Sequence, residues 1–379
     1  SDNTGTVTII GGMASDGMVT MARNGKVTPQ IALTCDGLSL IIENGILRQI
    51  TDPDLPPANS VTAVGDYFAW GSSDGQITTS ALSEGFDIDA ADFATAEAKP
   101  DGLVRLCSLG LMLVAFGTDS TEFWPLAGGD FPFSRSAVRD YGLLAGGSVA
   151  VIDETLAFVA RDHTVRIIAG YDGKVISTDA VARTIKDETD KANITGTSWR
   201  RAGHTFYAIS GTDWTWVYDF STGWWHERSS YGLDRWLVSQ TADFGNVIIA
   251  GHYNEGSLYT LSPDVDDEAG DPLIWTVQPP TLINYPNRLK INRLEFNMIP
   301  GVGTLDDTDP QVMLSWADDG ENFGHERMAS VGAQGQTQTR VGFSRLGTTR
   351  QHGRTYKLSM SADVVKGVLG ASIDVEPVG

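Results

Sequence analysis

The sequence predicts an all-β protein, a β-propeller of about six divergent blades followed by a C-terminal β-sandwich-like domain, and three observations carry that expectation. Short aromatic and β-branched runs of strand length recur along the chain, separated by Gly, Asn and Asp turn signals. Units of three or so such runs begin near residues 6, 60, 103, 147, 196 and 236, a spacing in the range of propeller blades. After residue 272 the strands lengthen and prolines punctuate them, which places a domain boundary between residues 1–272 and 273–379.

The first unit alternates TVTIIGG, GMVTMARNGK, QIALTCDG, LSLIIENG and ILRQI, and its Asn24-Gly25, Asp36-Gly37 and Asn44-Gly45 pairs predict tight hairpins. Residues 52–57, DPDLPP, then connect to SVTAVGDYFAWGSSDGQITTSAL, with turns at Gly65-Asp66 and Asp74-Gly75. Residues 86–100 are acidic, alanine-rich and weak in alternation, and read as a long excursion with a helical turn. Strands resume at Leu103, and turns are predicted at Asp153-Glu154, Asp162-His163 and Asp172-Gly173. The stretch from Thr178 to Asn193 has helix-forming composition and a capping-type Asp179, so one short helix is placed there.

The clearest unit is GHTFYAISGTDWTWVYDFSTGWWHERSSYGLDRW, residues 203–236, a three-strand meander. Trp214, Trp216 and Tyr218 fall on one side of its middle strand and Thr215, Val217 and Asp219 on the other. The aromatic side is expected to be the buried blade core, holding this blade to its neighbours. A stacking platform built from Trp214, Trp216, Trp224, Trp225 and His226 is the competing reading. Beyond residue 272, KINRLEFNMI, PQVMLSWADD, RVGFSRLG, RTYKLSMSAD and GASIDVEP supply the strands of the sandwich.

Composition narrows the function. Lys plus Arg total 27 against 48 Asp plus Glu, a formal charge of −21, which opposes a tight grip on phosphates or anionic lipid. Cys35 and Cys107 stand far apart with no CxxC, so neither a disulfide framework nor a zinc ribbon is indicated. The longest apolar run, from Leu106 to Gly117, is far shorter than a membrane helix needs, and no signal-peptide pattern opens the chain. The chain starts at Ser1 rather than Met, consistent with loss of an initiator residue or an upstream segment.

The catalytic motifs GxSxG, GxxxxGK[ST] and HExxH do not occur, and the six histidines have no partner at metal-ligand spacing. The acidic stretch Asp264, Asp266, Asp267, Glu268 and Asp271 starts like a calcium loop, but Ala269 stands where the sharp-turn glycine belongs and Trp275 where the bidentate Glu belongs. A solvated acidic loop is the better reading. Asp318, Gly320 and Phe323 match a D-x-G-x-x-[WF] box, in which the carboxylate caps turn amides, the glycine takes an unusual φ and the aromatic plugs the hairpin. No cofactor and no metal are expected.

Several phrases, in order, resemble the packaged-DNA stabilisation proteins of short-tailed bacteriophages, the tail-nozzle or tail-hub subunits. They are VTMARNGK at 19–26, DFATAEAKPDGLV at 92–104, FPFSR at 131–135, GKVISTDAV at 173–181, GHTFYAIS with TWVYD and GWWHERSS, GVG at 301–303, LSWADDGENF at 314–323 and FSRLGTTRQHGRTYKLSMS. The resemblance implies a non-enzymatic virion protein, assembled in host cytoplasm into a ring of copies, a hexamer. Portal and adaptor proteins lie above it, and needle, spike or fibre proteins dock on it. Double-stranded DNA passes through without sequence-specific binding, and no membrane is involved. The chain is shorter at its N-terminus than the family pattern. Repulsion of phosphates by an acidic sleeve agrees with this picture, and Asp264 to Asp271 are the candidate channel-facing residues. The alternatives are a propeller-type glycosidase, sialidase-like, and a non-viral propeller binding scaffold. A sialidase is expected to repeat the Asp-box and to carry an arginine cluster; one box and no cluster are found.

Overall fold

The computed structural model describes residues 9–13, 17–96, 99, 101–129, 131–245, 247–262, 265–305 and 307–378. Its contacts divide the chain into two compact units, Ser1–Ser229 with Asp234–Thr260, and Ser230–Leu233 with Leu261–Gly379.

The first unit is a series of six sheets, each built from strands consecutive in sequence. Blade one comprises Thr20–Arg23, Ile31–Cys35, Leu38–Glu43 and Ile46–Gln49; blade two, Ser60–Val64, Tyr67–Gly71, Gln76–Ala81 and Glu84–Thr95. Blade three is Leu103–Leu109, Met112–Gly117, Thr121–Pro125 and Ala137–Arg139, and blade four is Ala150–Ile152, Thr155–Val159, Val165–Ala169 and Asp172–Val175. Thr195–Arg201, His204–Ser210, Thr215–Asp219 and Trp224–Glu227 form blade five. Among the described residues blade six has three strands, Val238–Phe244, Val247–His252 and Leu258–Leu261.

Turn chemistry explains most of these boundaries. Asp36 and Gly37 take φ of 46° and 83°, Asn44 and Gly45 53° and 74°, and Gly65 and Asp66 56° and 70°, the doubly positive signature of type I′ hairpins. Asn24-Gly25 departs from this expectation. Asn24 is buried, its side chain pairs with both the amide and the side chain of Gln30, and a wider loop results. The predicted turn at Asp172-Gly173 is strand; the reversal lies at Gly170, φ 67°, and Tyr171. Of the predicted excursion at 86–100, residues 86–95 are strand instead, and residues 97, 98 and 100 lie outside the described residues. Glu84–Thr95 is a 12-residue strand, bulged where its register shifts against Gln76–Ala81, and the bulge is what blurs the alternation. The helix forms at Asp179–Asp187, but its cap is Thr178, whose hydroxyl accepts from the Val181 amide at 3.4 Å.

Propeller packing buries both faces of a blade, so the strands do not read as half-exposed. Phe68, Ala69 and Trp70 are consecutive and all buried, as are Leu113 to Phe116 and Leu156 to Val159. Four seams each carry their own apolar cluster. Ala32 and Ile41 meet Val61, Phe68 and Trp70 between blades one and two. Val64 and Ile77 meet Leu106, Leu113 and Trp124 between two and three. Val114, Phe116 and Phe123 meet Leu156 and Phe158 between three and four. Ala157, Val159 and Val165 meet Tyr207, Ile209 and the helix residues Val181 and Ile185 between four and five.

The second unit is an antiparallel sandwich. One sheet orders Trp275–Val277, Thr355–Met360, Gln311–Ala317 and Gly324–Ser330; the other orders Val341–Thr348, Arg288–Met298 and Val368–Val378. Arg288–Met298 alternates in burial on either side of a register shift between Ile291 and Arg293, its Leu289, Ile291, Leu294, Phe296 and Met298 buried. These join Val312, Leu314, Trp316, Val341, Phe343, Tyr356 and Leu358 in one continuous core.

Candidate assembly surfaces

The structure reassigns the aromatic strand of blade five. Thr215, Val217 and Asp219 are the more deeply buried set, and Trp214, Trp216 and Tyr218 are only partly buried. Sequence alternation identified two faces but could not reveal that both are covered. The tryptophans do reach blade four: Trp214 and Trp216 pack on the cluster that contains Val165 and Val181. Their indole N–H groups donate to Glu188 Oε2 at 2.8 Å and Thr184 Oγ1 at 3.3 Å. Tyr218 packs edge-on against Phe220 at 4.9 Å and tilts over Trp225 at 5.1 Å. Trp225 donates to the Ile176 carbonyl at 2.8 Å, so of the imagined platform only Trp224, 75% exposed, presents an indole broadly to solvent.

Glu188, unremarked in the sequence reading, is the organising group of this seam. Burial alone would raise its pKa. The amides of Asp190 and Thr212, the Thr212 hydroxyl and the Trp214 indole all donate to its carboxylate and together hold the pKa at about 2. An acid shortly after a helix and a Trp in the next turn give no local pattern, which is why only the fold reveals the pairing. A second unread cluster joins blades one and two. Lys26 Nζ reaches Glu43 at 3.3 Å and Glu84 at 2.9 Å, and Gln30 Nε2 donates to the same two carboxylates at 3.0 and 2.8 Å.

In the sandwich the turn-capping carboxylate is Asp319, not Asp318. Asp319 Oδ1 accepts from the amides of Glu321 at 3.0 Å and Asn322 at 2.8 Å, and its Oδ2 from the Asn322 side chain at 2.7 Å. The Asn322 side chain, then the two amides, hold the Asp319 pKa down at about 2. Gly320 takes φ 84° as the motif requires, and Phe323 lies 4.3 Å beneath Lys357 Nζ. Asp318 turns inward instead. Buried Arg354 grips it through Nε at 2.7 Å and Nη2 at 3.1 Å, because Arg354 needs a counter-charge where its other donors meet only the Leu346 and Thr348 carbonyls. A concavity of about 200 Å³ is lined by Trp316, Asp318, Asp319, Asn322, His325 and Arg350. Both of its aspartates are already taken up by these donors.

The acidic stretch is a hairpin. Asp267–Glu268 pairs with Asp271–Pro272 across Ala269, φ 57°, and Gly270, φ 90°. Asp267 Oδ1 accepts from the Gly270 amide at 3.2 Å, and Asp266 lies 4.0 Å from buried Lys366 Nζ. Asp264 lies outside the described residues. Among the described residues no cluster of three or more His, Cys, Asp or Glu could hold a metal, and no helix is long and apolar enough to cross a membrane.

The blade order fixes which turns share an end of the propeller. In a propeller the first strands of all blades run the same way along the axis, so turns between strands one and two and between three and four emerge at one end. Turns between strands two and three emerge at the other. Contacts across seams agree: Gly25 N, in the first such connection of blade one, donates to Asp66 Oδ1 of blade two at 2.8 Å. A Cβ added at Gly65 would meet Leu126 of blade three at 2.7 Å. At this first end every blade presents a large exposed apolar side chain: Val27 and Ile46 in blade one, then Leu82, Leu111, Tyr171, Trp224 and Phe244, from 39% (Tyr171) to 102% (Val27) exposed. At the second end each turn presents an exposed carboxylate: Asp36, Asp74, Asp119, Asp162, Asp213 and Glu255.

A chain of antiparallel blades followed by an antiparallel sandwich, held by interblade apolar seams and carboxylate clamps, defines a structural propeller–sandwich protein. Comparison with known proteins names the family. Residues 1–266 match the family described as Bacteriophage P22 Gp10, β-propeller, and residues 274–376 match Bacteriophage P22 Gp10, β-sandwich; the chain belongs to this family, as its resembling phrases implied. The tail hub protein gp10 of Salmonella phage P22 is 23% identical over 379 residues, spanning 90% of this chain and 77% of that protein. Among solved structures, the Cps50 (Swd1) β-propeller domain of Myceliophteria thermophila is 13% identical and covers 67% of this chain and 84% of that one, with a TM-score of 0.43. The computationally designed Ika8 protein is 11% identical over 90% and 97% of the two chains, with a TM-score of 0.41.

Proposed function

We propose that the protein is a structural subunit of a phage tail hub. Copies form a ring, a hexamer, beneath the portal and adaptor; the ring retains packaged DNA and forms part of the ejection passage, and needle, spike or fibre proteins dock on it. It resides in the virion after assembly in host cytoplasm. The observation that carries this reading is that both family segments occur in order over nearly the whole chain, together with the relative whose name is tail hub protein. The charge of −21 per chain supports it physically, since a ring of such subunits repels phosphates and adds no counterion-release affinity to slow the DNA. In this reading the acidic hairpin, with Asp266, Asp267, Glu268 and Asp271, borders the passage. Electron microscopy of the purified chain with portal–adaptor complexes tests it: rings stacked beneath the portal are expected. A monomer that ignores the portal and hydrolyses glycans overturns it, and an outward-facing hairpin in an assembled tail removes that part alone.

A further inference from the structure

We infer that the Val368–Val378 edge of the sandwich is a docking site for an extended segment of another polypeptide, which pairs with it as a further strand and alternates apolar with basic residues. The inference rests on the sandwich alone and not on the hub reading. A strand with one free side is a template for pairing, so folded proteins keep such edges short, bulged or charged. Most outward edges here follow that rule. The outermost strands of blades one, three, four, five and six have three or four residues, and that of blade two is bulged twice and carries Asp87, Asp89 and Asp92. In the sandwich, Trp275–Val277 has three residues. Gly324–Ser330 and Val341–Thr348 close on each other where Arg327 donates to the Ser344 carbonyl at 2.6 Å and the Arg345 carbonyl at 3.3 Å. Val368–Val378 has 11 residues and pairs with Arg288–Met298 alone. Its own bulge, at Leu369, and Pro377 sit at its two ends, and residues 370–376 between them carry neither device.

Alternation along this strand defines the occupant. Ala371, Ile373 and Val375 stand opposite the buried Phe296, Leu294 and Ile291, so they share the core side of the sheet. Yet Ala371 is exposed, Ile373 is 38% exposed and, at the bulge, Leu369 is 71% exposed. The core stops short of them, and on this side the other sheet ends in its three-residue strand. An added strand covers them only with apolar side chains on that face. On the solvent side the edge presents Ser372, Asp374 and Glu376. Lys290 and Asn292 both hold Glu376, each at 3.0 Å. Asp374 stands across from Arg293, but that guanidinium goes to Glu295 at 3.1 Å, and no cation pairs with Asp374 among the described residues. Basic residues on the outer face of the occupant answer this carboxylate. A chain of −21 also draws a cationic partner in preference to its own kind. Beside the edge, a concavity of about 440 Å³ lined by Glu295, Asn297, Arg340, Gly370 and Ser372 leaves room for one polar side chain of the added strand.

The test adds a short synthetic peptide of alternating valine and lysine to the full chain and follows hydrogen exchange strand by strand. The amides of residues 370–376 are expected to exchange at least tenfold more slowly with the peptide bound. A peptide of the same composition with its valines and lysines in two blocks, and one alternating valine with glutamate, should protect them at least tenfold less. Ile373→Lys, which puts a charge on the core side of the edge, should abolish the protection while its circular dichroism matches the parent. Asp374→Lys, at an exposed position, serves if that variant unfolds, and should weaken binding at least fivefold. Asp74→Lys, the same reversal at a propeller turn, should bind the peptide as the parent does. Protection of residues 370–376 that is absent, that the block peptide produces equally, or that Ile373→Lys and Asp374→Lys leave intact overturns the inference. Self-association of the parent through this edge, lost in Ile373→Lys, overturns it too, by making a second copy the occupant.

Discussion

The propeller and the sandwich solve the same problem, burying sheet faces, in different ways. The propeller distributes its apolar contacts over separate seams, each between two neighbouring blades. The sandwich gathers its inward-facing side chains into one core between two sheets. A change in the sandwich core is therefore felt by every strand of that unit, while a change in one seam is confined to two blades. The polar ties follow the same division. Glu188 and the Lys26–Gln30 group each bind one seam, whereas the Arg354–Asp318 pair sits beside the core itself, with Arg354 5.4 Å from the Trp316 ring.

The largest effect that probes this contrast is expected from Phe158→Ala. Phe158 is fully buried at the seam of blades three and four, 5.0 Å from Phe116 and stacked on Tyr141 at 5.8 Å. Its truncation should cost about 4 kcal/mol. Hydrogen exchange should rise first in blades three and four, and a uniform rise across the propeller would break the seam picture. Next in size is Arg354→Ala, which strands the Asp318 carboxylate and two backbone carbonyls. It should cost about 3 kcal/mol. Here exchange should rise throughout the sandwich strands and leave the propeller unchanged; protection lost only near Thr348 would show that the sandwich core, too, is locally divisible.

Sequence alone conveyed the architecture because strand period, turn dipeptides and unit spacing are local signals. Asp36-Gly37, Asn44-Gly45 and Gly65-Asp66 read correctly for that reason. It failed where a partner lay far away in sequence. Asn24-Gly25 has hairpin chemistry, yet Gln30 and the blade-two residues Asp66 and Glu84 hold its loop open. Trp214, Trp216 and Tyr218 alternate as a buried face should, yet Val217 and Thr215 on the other face are more completely buried. Asp318 stands at the motif position, yet Arg354, 36 residues on, captures it and leaves capping to Asp319. Which turns share an end of the propeller could be recognised only once the blade order was known.

The smallest effect, and the sharpest on the seam, is expected from Glu188→Gln. The amide keeps one acceptor oxygen but loses the charge that gathers two backbone amides, a hydroxyl and the Trp214 indole. Hydrogen bonds to a charged group are worth about 2 kcal/mol when lost without replacement, and the retained oxygen should keep the cost nearer 1 kcal/mol. The pH dependence separates this from a packing defect. The folded pKa is depressed, to about 2 from an ordinary 4.5, so the contribution of Glu188 is fully present above about pH 5 and is lost as pH falls through the folded value. Parent and variant should therefore differ in melting temperature at pH 7, draw together as pH falls below about 4.5 and meet near pH 2. A difference that persists undiminished at pH 2 would mean that the glutamine disturbs the packing of Trp214 and Trp216 against the helix rather than removing an ionic clamp, and the seam of blades four and five would then be apolar in its energetics like the others.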